Sequence, residues 1–298
     1  RPGKGRKRTG RYHIDIRQMK GAMMKRTLWT AAIAALLLTP GLAQAHRQWM
    51  LPSATSLSGT ESWVTVDAAI SNDLFYFEHF PLPIDGIVIT EPDGAAGTIE
   101  NGAKGRYRST FDVHLTKPGT YRIASVANRL MGSYMLNGKR ERLPRGITRD
   151  KLASALPAGA TDVQANDSIN RNEIFVTLGA PTTNLFTPTG DGIEMVPVTH
   201  PNDLVAGEAA TFQFLLDGKP ASGLSVTVIP GGIRYRDSLG QMDLTADQDG
   251  KIAVTWPEPG MFWLNATVGG RREGAGEADA PPSQRRTSYV TTLEVQAP

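Results

Sequence analysis

Short runs that alternate apolar with polar residues recur along most of this 298-residue chain. They include "SWVTVDAAI" (62–70), "DGIVITEP" (85–92), "STFDVHLT" (109–116), "TYRIASV" (120–126) and "EIFVTLG" (173–179). Later come "ATFQFLL" (210–216), "LSVTVIPG" (224–231), "KIAVTW" (251–256), "MFWLNATV" (261–268) and "SYVTTLEV" (288–295). A period of two with β-branched and aromatic enrichment marks half-buried strands, because successive side chains leave a strand on opposite faces. Turn-forming pairs punctuate them at Asp93-Gly94, Pro118-Gly119, Asp217-Gly218 and Asp249-Gly250. Many short strands separated by such turns imply β-sandwiches.

Two order-preserving similarities suggest duplication. "LTKPGTYRIASV" (115–126) resembles "WPEPGMFWLNATV" (256–268), and "SGTESWVTVDAA" (58–69) resembles "AGEAATFQFLL" (206–216). The expected fold is therefore all-β: two immunoglobulin-like or transthyretin-like sandwiches joined by an irregular segment with one short helix. The first would span 46–128 and the second 193–298. Between them, 129–192 reads as a basic loop, a short helix at "TRDKLASAL" (148–156) with Thr148 as N-cap, and a linker, partly completing the first domain. Arg129, Lys139, Arg140, Arg142, Arg145 and Arg149 crowd this region, where a solvated connection is the simpler reading than an anion grip.

The amino end has its own pattern. From Met24 a basic start (Lys25, Arg26) leads into an apolar run from Leu28 to Leu38, then Pro40-Gly41 and small residues at Ala43 and Ala45. That is the layout of a secretory signal peptide over 23–45 with an Ala-x-Ala cleavage site. Its apolar core of about 11 residues is too short to span a bilayer, which takes about 20. Residues 1–22, rich in Arg and Lys without apolar periodicity, read as an upstream extension of the true start. Residues 1–45 hold 10 of the 32 Lys+Arg and 1 of the 29 Asp+Glu, so the chain from His46 carries a formal charge of −6. A mildly acidic exported chain has no electrostatic bias toward nucleic acid. With no cysteine, disulfides and thiolate metal sites are excluded. The expected location is periplasmic or secreted, without stable membrane insertion after cleavage.

Cleavage after Ala45 would make His46 the first residue. Its α-amine, with an ordinary pKa of about 7.7–8, and its imidazole Nδ1 can close a six-membered chelate on one metal ion. A second imidazole on the opposite side would complete a histidine brace, a donor set suited to divalent Ni, Co or Cu. Trp49 and Leu51 would anchor this end in the first sandwich. His79, in the aromatic loop "NDLFYFEHFPLP", is the first candidate for the second ligand, and His200, in "VPVTHPNDL", the reserve. His114 alternates with Phe111, Val113 and Leu115 and points outward; Met50 is a candidate soft contact. No HExxH, Gly-x-Ser-x-Gly, phosphate-binding or dinucleotide-binding signature is present, and no organic cofactor is implied.

Four stretches carry a family resemblance: "AHRQWMLPS", "NDLFYFEHFPL", "LNGKRERLPRG" and "GIEMVPVTHPNDLVAGEAATFQFLLDGKPASGLSVTVIPGG". Across 46–298 the chain resembles the bacterial periplasmic proteins of domain of unknown function 4198, historically grouped with nickel- and cobalt-uptake components. The family's His-x-x-Trp start matches His46 and Trp49, followed by Pro52. The resemblance implies a secreted metal-handling protein, working with a metal transporter or outer-membrane receptor, with no established enzymatic activity. A metal-free interaction module that docks an envelope receptor or polymer is the alternative. A copper oxidase or oxygenase is a third.

Overall fold

A computed structural model of the chain describes residues 46–269 and 285–298, with Gly3 apart from them. The signal-peptide and upstream-extension readings, including the cleavage site at Ala45, lie outside the described residues. All ten alternating runs lie on strands. In chain order the first half contains β1 (Arg47–Pro52), β2 (Ser56–Leu57), β3 (Ser62–Ser71), β4 (Phe80–Pro81), β5 (Ile87–Thr90), β6 (Glu100–Lys104), β7 (Ser109–Leu115), β8 (Gly119–Leu136) and β9 (Lys139–Arg142). A short helix, α1 (Leu152–Ala155), precedes β10 (Thr161–Leu178). The second half adds β11 (Ile193–Pro197), β12 (Ala209–Leu216), β13 (Lys219–Pro220), β14 (Ser225–Pro230), β15 (Met242–Thr245), β16 (Lys251–Thr255), β17 (Gly260–Val268) and β18 (Arg285–Val295). The all-β expectation stands.

Three sheets form three layers. The central sheet runs β15-β14-β17-β18-β10-β8-β5 and spans both halves. One covering sheet runs β1-β3-β7-β6, and the other runs β11-β12-β13 with β16 on β12. The first core joins Met50, Val66, Phe111 and Val113 to Tyr121, Ile123, Ile174 and Val176. The second joins Met195, Phe212, Phe214 and Ile252 to Phe175, Phe262, Leu264 and Tyr289. Neighbouring residues Ile174 and Phe175 thus serve opposite cores, as strand alternation requires. The reason for the opposite placement is the seam. β10 and β18 pair in parallel, from Asp167↔Arg285 to Glu173↔Thr291, so the second half is turned over relative to the first. The matching Pro-Gly segments carry the same backbone: Gly119 and Gly260 both have positive φ, 124° and 136°, at the starts of β8 and β17. The described residues from His46 onward belong to one compact unit.

The segment expected to be irregular, 129–192, differs from that reading. β8 continues to Leu136 and β10 starts at Thr161, and they pair antiparallel almost throughout. Together with β9 they build a projecting arm with its own small core, Leu130, Tyr134 and Leu143, lined by Leu136, Ile147, Leu152 and Leu156. Alternation here is hidden by basic and polar residues, because one face of the arm is open to solvent and the other covers only a thin core. Arg140 pairs with Asp162, and Arg149 with Asp167. A Cβ at Gly132 would run into the Gln164 carbonyl, so the close approach at the arm's bulge requires glycine. Thr148 lies before a 3-10 turn at Arg149–Lys151 and its side chain makes no capping bond.

Candidate metal centre

The strand that follows His46 is fixed from both halves of the protein. β1 pairs antiparallel with β3 from Arg47↔Ser71 to Pro52↔Val66. Trp49 is 0% exposed, in a third cluster with Ala69, Leu74, Ile229, Ile233, Trp263 and Val290. Its Nε1 donates to Ser71 Oγ at 2.8 Å, and that hydroxyl donates to Asp73 O at 2.6 Å. Trp263 Nε1, from β17, donates to Gln48 O at 3.0 Å. An indole buried with its N–H satisfied is a strong anchor. The backbone two residues after His46 is therefore held, not frayed.

The loop 72–79 is clamped against the same strand. Glu78 Oε1 accepts the backbone N–H groups of Asn72 and Asp73, each at 2.8 Å. Arg47 Nη1 donates to Asn72 O at 2.7 Å. Phe75 and Phe77 lie 5.6 and 5.7 Å from the Trp49 ring, and Phe75 takes a positive φ of 62° to do so. Phe80 then pairs with Ile70 as β4 begins. These constraints bring His79 to His46: their ring centroids are 4.4 Å apart at an interplanar angle of 77°. Phe80, 59% exposed, lies 6.4 Å from the His46 ring and 6.1 Å from that of His79.

The donor chemistry fits a transition-metal ion. His79 Nε2 is shut off from solvent and has no hydrogen-bond partner, and a buried polar atom in that state calls for an explanation. A bound cation would supply one. Metal–imidazole bonds of about 2 Å put the ion about 3.2 Å from each ring centre, so centroids 4.4 Å apart subtend roughly 90°. Opposed donors would need centroids about 6 Å apart. Rings at this separation would take neighbouring positions at about a right angle on a shared ion, rather than the opposed positions expected from the sequence. Glu78 Oε1 is taken by two backbone amides, and Met50 is buried in the first core, away from any role as a soft ligand. Among the described residues no group of three or more His, Asp or Glu side chains could hold a metal. A third protein donor here would be the α-amine of His46.

His200 lies elsewhere, near the far end of β1, where Ser56 pairs with Thr177. Its Nε2 lies 3.1 Å from both Thr182 O and Thr120 Oγ1, and its Nδ1 accepts Asn202 N–H at 3.1 Å. Burial pushes it below the usual imidazole range, against the pull of Thr182 O and Asp203. A neutral ring with both nitrogens engaged is a structural pin, and the reserve-ligand reading is not supported by its position. His114 lies on the outer face of β7, stacked 4.1 Å from Trp63, with Nε2 2.6 Å from Glu61 Oε1. Arg47 and Glu78, which place the two histidines, had no sequence signature, since a carboxylate closing a loop on backbone amides depends on the loop's conformation.

Residues 43–270 match the family model described as Domain of unknown function (DUF4198). The chain belongs to this family. The DUF4198 region takes in His46, His79 and His200 and runs through most of both halves. No curated protein matches the chain. Among solved structures, the D0-D1 domain of intimin matches at 11% identity and a TM-score of 0.19, covering 83% of this chain and 97% of that one. A Salmonella alpha-2-macroglobulin mutant matches at 15% identity and a TM-score of 0.18, with this chain covering 15% of its length. Similarities this low carry no functional weight for the DUF4198 chain. Among its described residues no helix is long and apolar enough to cross a membrane.

Proposed function

We propose that this DUF4198 protein is exported, is cleaved after Ala45, and binds one divalent transition-metal ion (Ni, Co or Cu) at its new amino end. One observation carries the reading: the His46 and His79 rings lie 4.4 Å apart with His79 Nε2 buried and unpartnered. The α-amine and Nδ1 of His46 supply the chelate, and His79 the third nitrogen. Copper binds most strongly to such donors by the Irving–Williams order. The protein's work is ligand exchange: it holds the ion and passes it to, or takes it from, a membrane transporter or outer-membrane receptor. Exposed His46 and Phe80 give such a partner a route to the ion from the strand-start side.

The test is a titration of the chain beginning at His46 with Cu(II) and Ni(II), repeated after acetylation of the α-amine, which is selective over lysine at about pH 6.5 because the α-amine's pKa is lower. Acetylation removes the primary amine as a donor while leaving both imidazoles, so affinity is expected to fall at least a hundredfold. The variant His79→Ala is expected to lose at least tenfold. If neither form binds, the metal reading is wrong and a metal-free docking module takes its place. If acetylation changes nothing, the amino terminus is not a ligand. Intact mass of the exported protein fixes the first residue independently.

A further inference from the structure

The ring geometry bears on oxidation state as well as on metal identity. Two imidazoles that serve a monovalent copper ion alone adopt an opposed, near-linear arrangement, which d10 Cu(I) favours at low coordination number. The His46 and His79 rings, 4.4 Å apart at 77°, do not fit that arrangement. With His46 where it lies, opening them to about 6 Å would displace His79 from a loop fixed at several points. Glu78 Oε1 ties that loop to the amides of Asn72 and Asp73, and Arg47 Nη1 ties Asn72 O to β1. Phe75 and Phe77 pack against fully buried Trp49. β4 begins at the next residue, where Phe80 pairs with Ile70. β1 begins at the residue after His46 and is paired to β3 from Arg47 onward.

Donor softness points the same way. Thioether and thiolate ligands select Cu(I), whereas tetragonal nitrogen and oxygen donors suit Cu(II) and Ni(II). The chain has no cysteine. The methionine nearest in sequence, Met50, is fully buried in the first core with Val66, Phe111 and Ile174. A chelating amine beside its own imidazole imposes a second bite of about 90°, again the angle of a square-planar or tetragonal ion.

We infer that this site discriminates between copper oxidation states: it holds Cu(II) and releases copper on one-electron reduction to Cu(I). The inference rests on the metal-binding reading above and adds the release step. The electron comes from an external reductant such as a thiol or an ascorbate-like enediol, which is oxidised as Cu(II) becomes Cu(I). The copper–nitrogen bonds then dissociate, and no covalent bond of the protein changes. Reduction thereby supplies the exit that a delivery protein requires without any rearrangement of the fold.

The experiment uses the chain beginning at His46, which contains every apolar core described. Affinities for Cu(II) and for Cu(I) are measured by competition against chromophoric chelators specific to each ion, the latter under anaerobic conditions. The potential of the bound couple is read by voltammetry. Cu(II) is expected to bind at least a hundredfold more favourably relative to the free ions, which lowers the potential by about 118 mV from the aqueous couple. Tight Cu(II) binding with a potential at or above that of the aqueous couple overturns the inference and leaves the metal-binding reading intact. Absence of Cu(II) binding overturns both. The variant His79→Met, with a soft donor at the same station, is expected to raise the potential. A folded His79→Met protein with no rise counts against His79 as a ligand that sets the preference.

Discussion

Three glutamates of this protein show how far one side chain's role depends on its surroundings. Glu78 closes the loop beside the candidate site. Glu194 is ordinary in sequence but buried: its Oε1 accepts Thr189 N and Oγ1 at 2.9 and 2.7 Å, its Oε2 accepts Gly190 N at 2.7 Å, and Arg171 Nη2 lies 3.3 Å away. Burial alone would raise it, but these hydrogen bonds and Arg171 outweigh burial and hold its carboxyl below the usual range. Glu173 is the reverse case. Burial raises it, and Arg171 at 3.8 Å does not compensate. A depressed acid stabilises the fold above its unfolded pKa of about 4.3 and loses that contribution as pH falls through the lower folded value. A raised acid costs stability as pH climbs from about 4.3 toward its folded value. Glu194→Gln should therefore cost about 2–3 kcal/mol at pH 7 and flatten the loss of stability on acidification, read by urea denaturation from pH 3 to 8. Glu173→Gln should be neutral or stabilising by up to about 1 kcal/mol at pH 7. None of this was legible in the chain, where buried and solvated charges look alike. His46 and His79 could be singled out from an Ala-x-Ala pattern and an aromatic loop, and the structure brings their rings together; the angle between the rings was not legible.

At the scale of elements, strands with one face on a thick core announced themselves, and those of the arm did not. "STFDVHLT" alternates cleanly because Phe111, Val113 and Leu115 share the first core. The distal halves of β8 and β10 share only Leu130, Tyr134 and Leu143 with a few half-buried neighbours, so Arg, Asn, Gly and Gln fill most positions. Antiparallel pairing from Leu130↔Asp167 outward is kept by backbone hydrogen bonds and by ion pairs of Arg140 and Arg149. Exposed pairs of this kind contribute little, about 0–1 kcal/mol each. The arm's core is separate from the other three. Replacing residues 132–165 by an Asn-Gly turn between Met131 and Asn166 should then leave the rest folded. Expected outcomes are one thermal transition within a few degrees of the parent and Cu(II) affinity within twofold, checked by circular dichroism and titration. A collapse of the melting transition would show that the arm supports the central sheet.

For the whole molecule, the pair of sandwiches anticipated from the repeats is present, but they are not beads on a linker. The similarity of "LTKPGTYRIASV" to "WPEPGMFWLNATV" gave the two halves their matching β8 and β17 starts. It could not give the seam, because parallel pairing of β10 with β18 depends on contacts far apart in the chain. A third cluster adds to that seam, joining Trp49, Ala69 and Leu74 of the first half to Ile229, Ile233, Trp263 and Val290 of the second. Glu294 Oε2 also accepts Thr55 N and Oγ1 across it, at 2.8 and 2.6 Å. Unfolding one half would expose the central-sheet edge and this cluster, so the halves should unfold together. Tryptophan fluorescence and far-ultraviolet circular dichroism are expected to report coincident urea transitions. Trp263→Ala tests the coupling to function: it empties the shared cluster at a cost of about 3–5 kcal/mol and removes the bond to Gln48 O two residues from His46. Under conditions where the variant is still folded, its Cu(II) affinity should drop about tenfold, although Trp263 is no ligand. Full stability loss with unchanged affinity would mean that β3 alone holds the amino end, and that the second half is a bystander to the site.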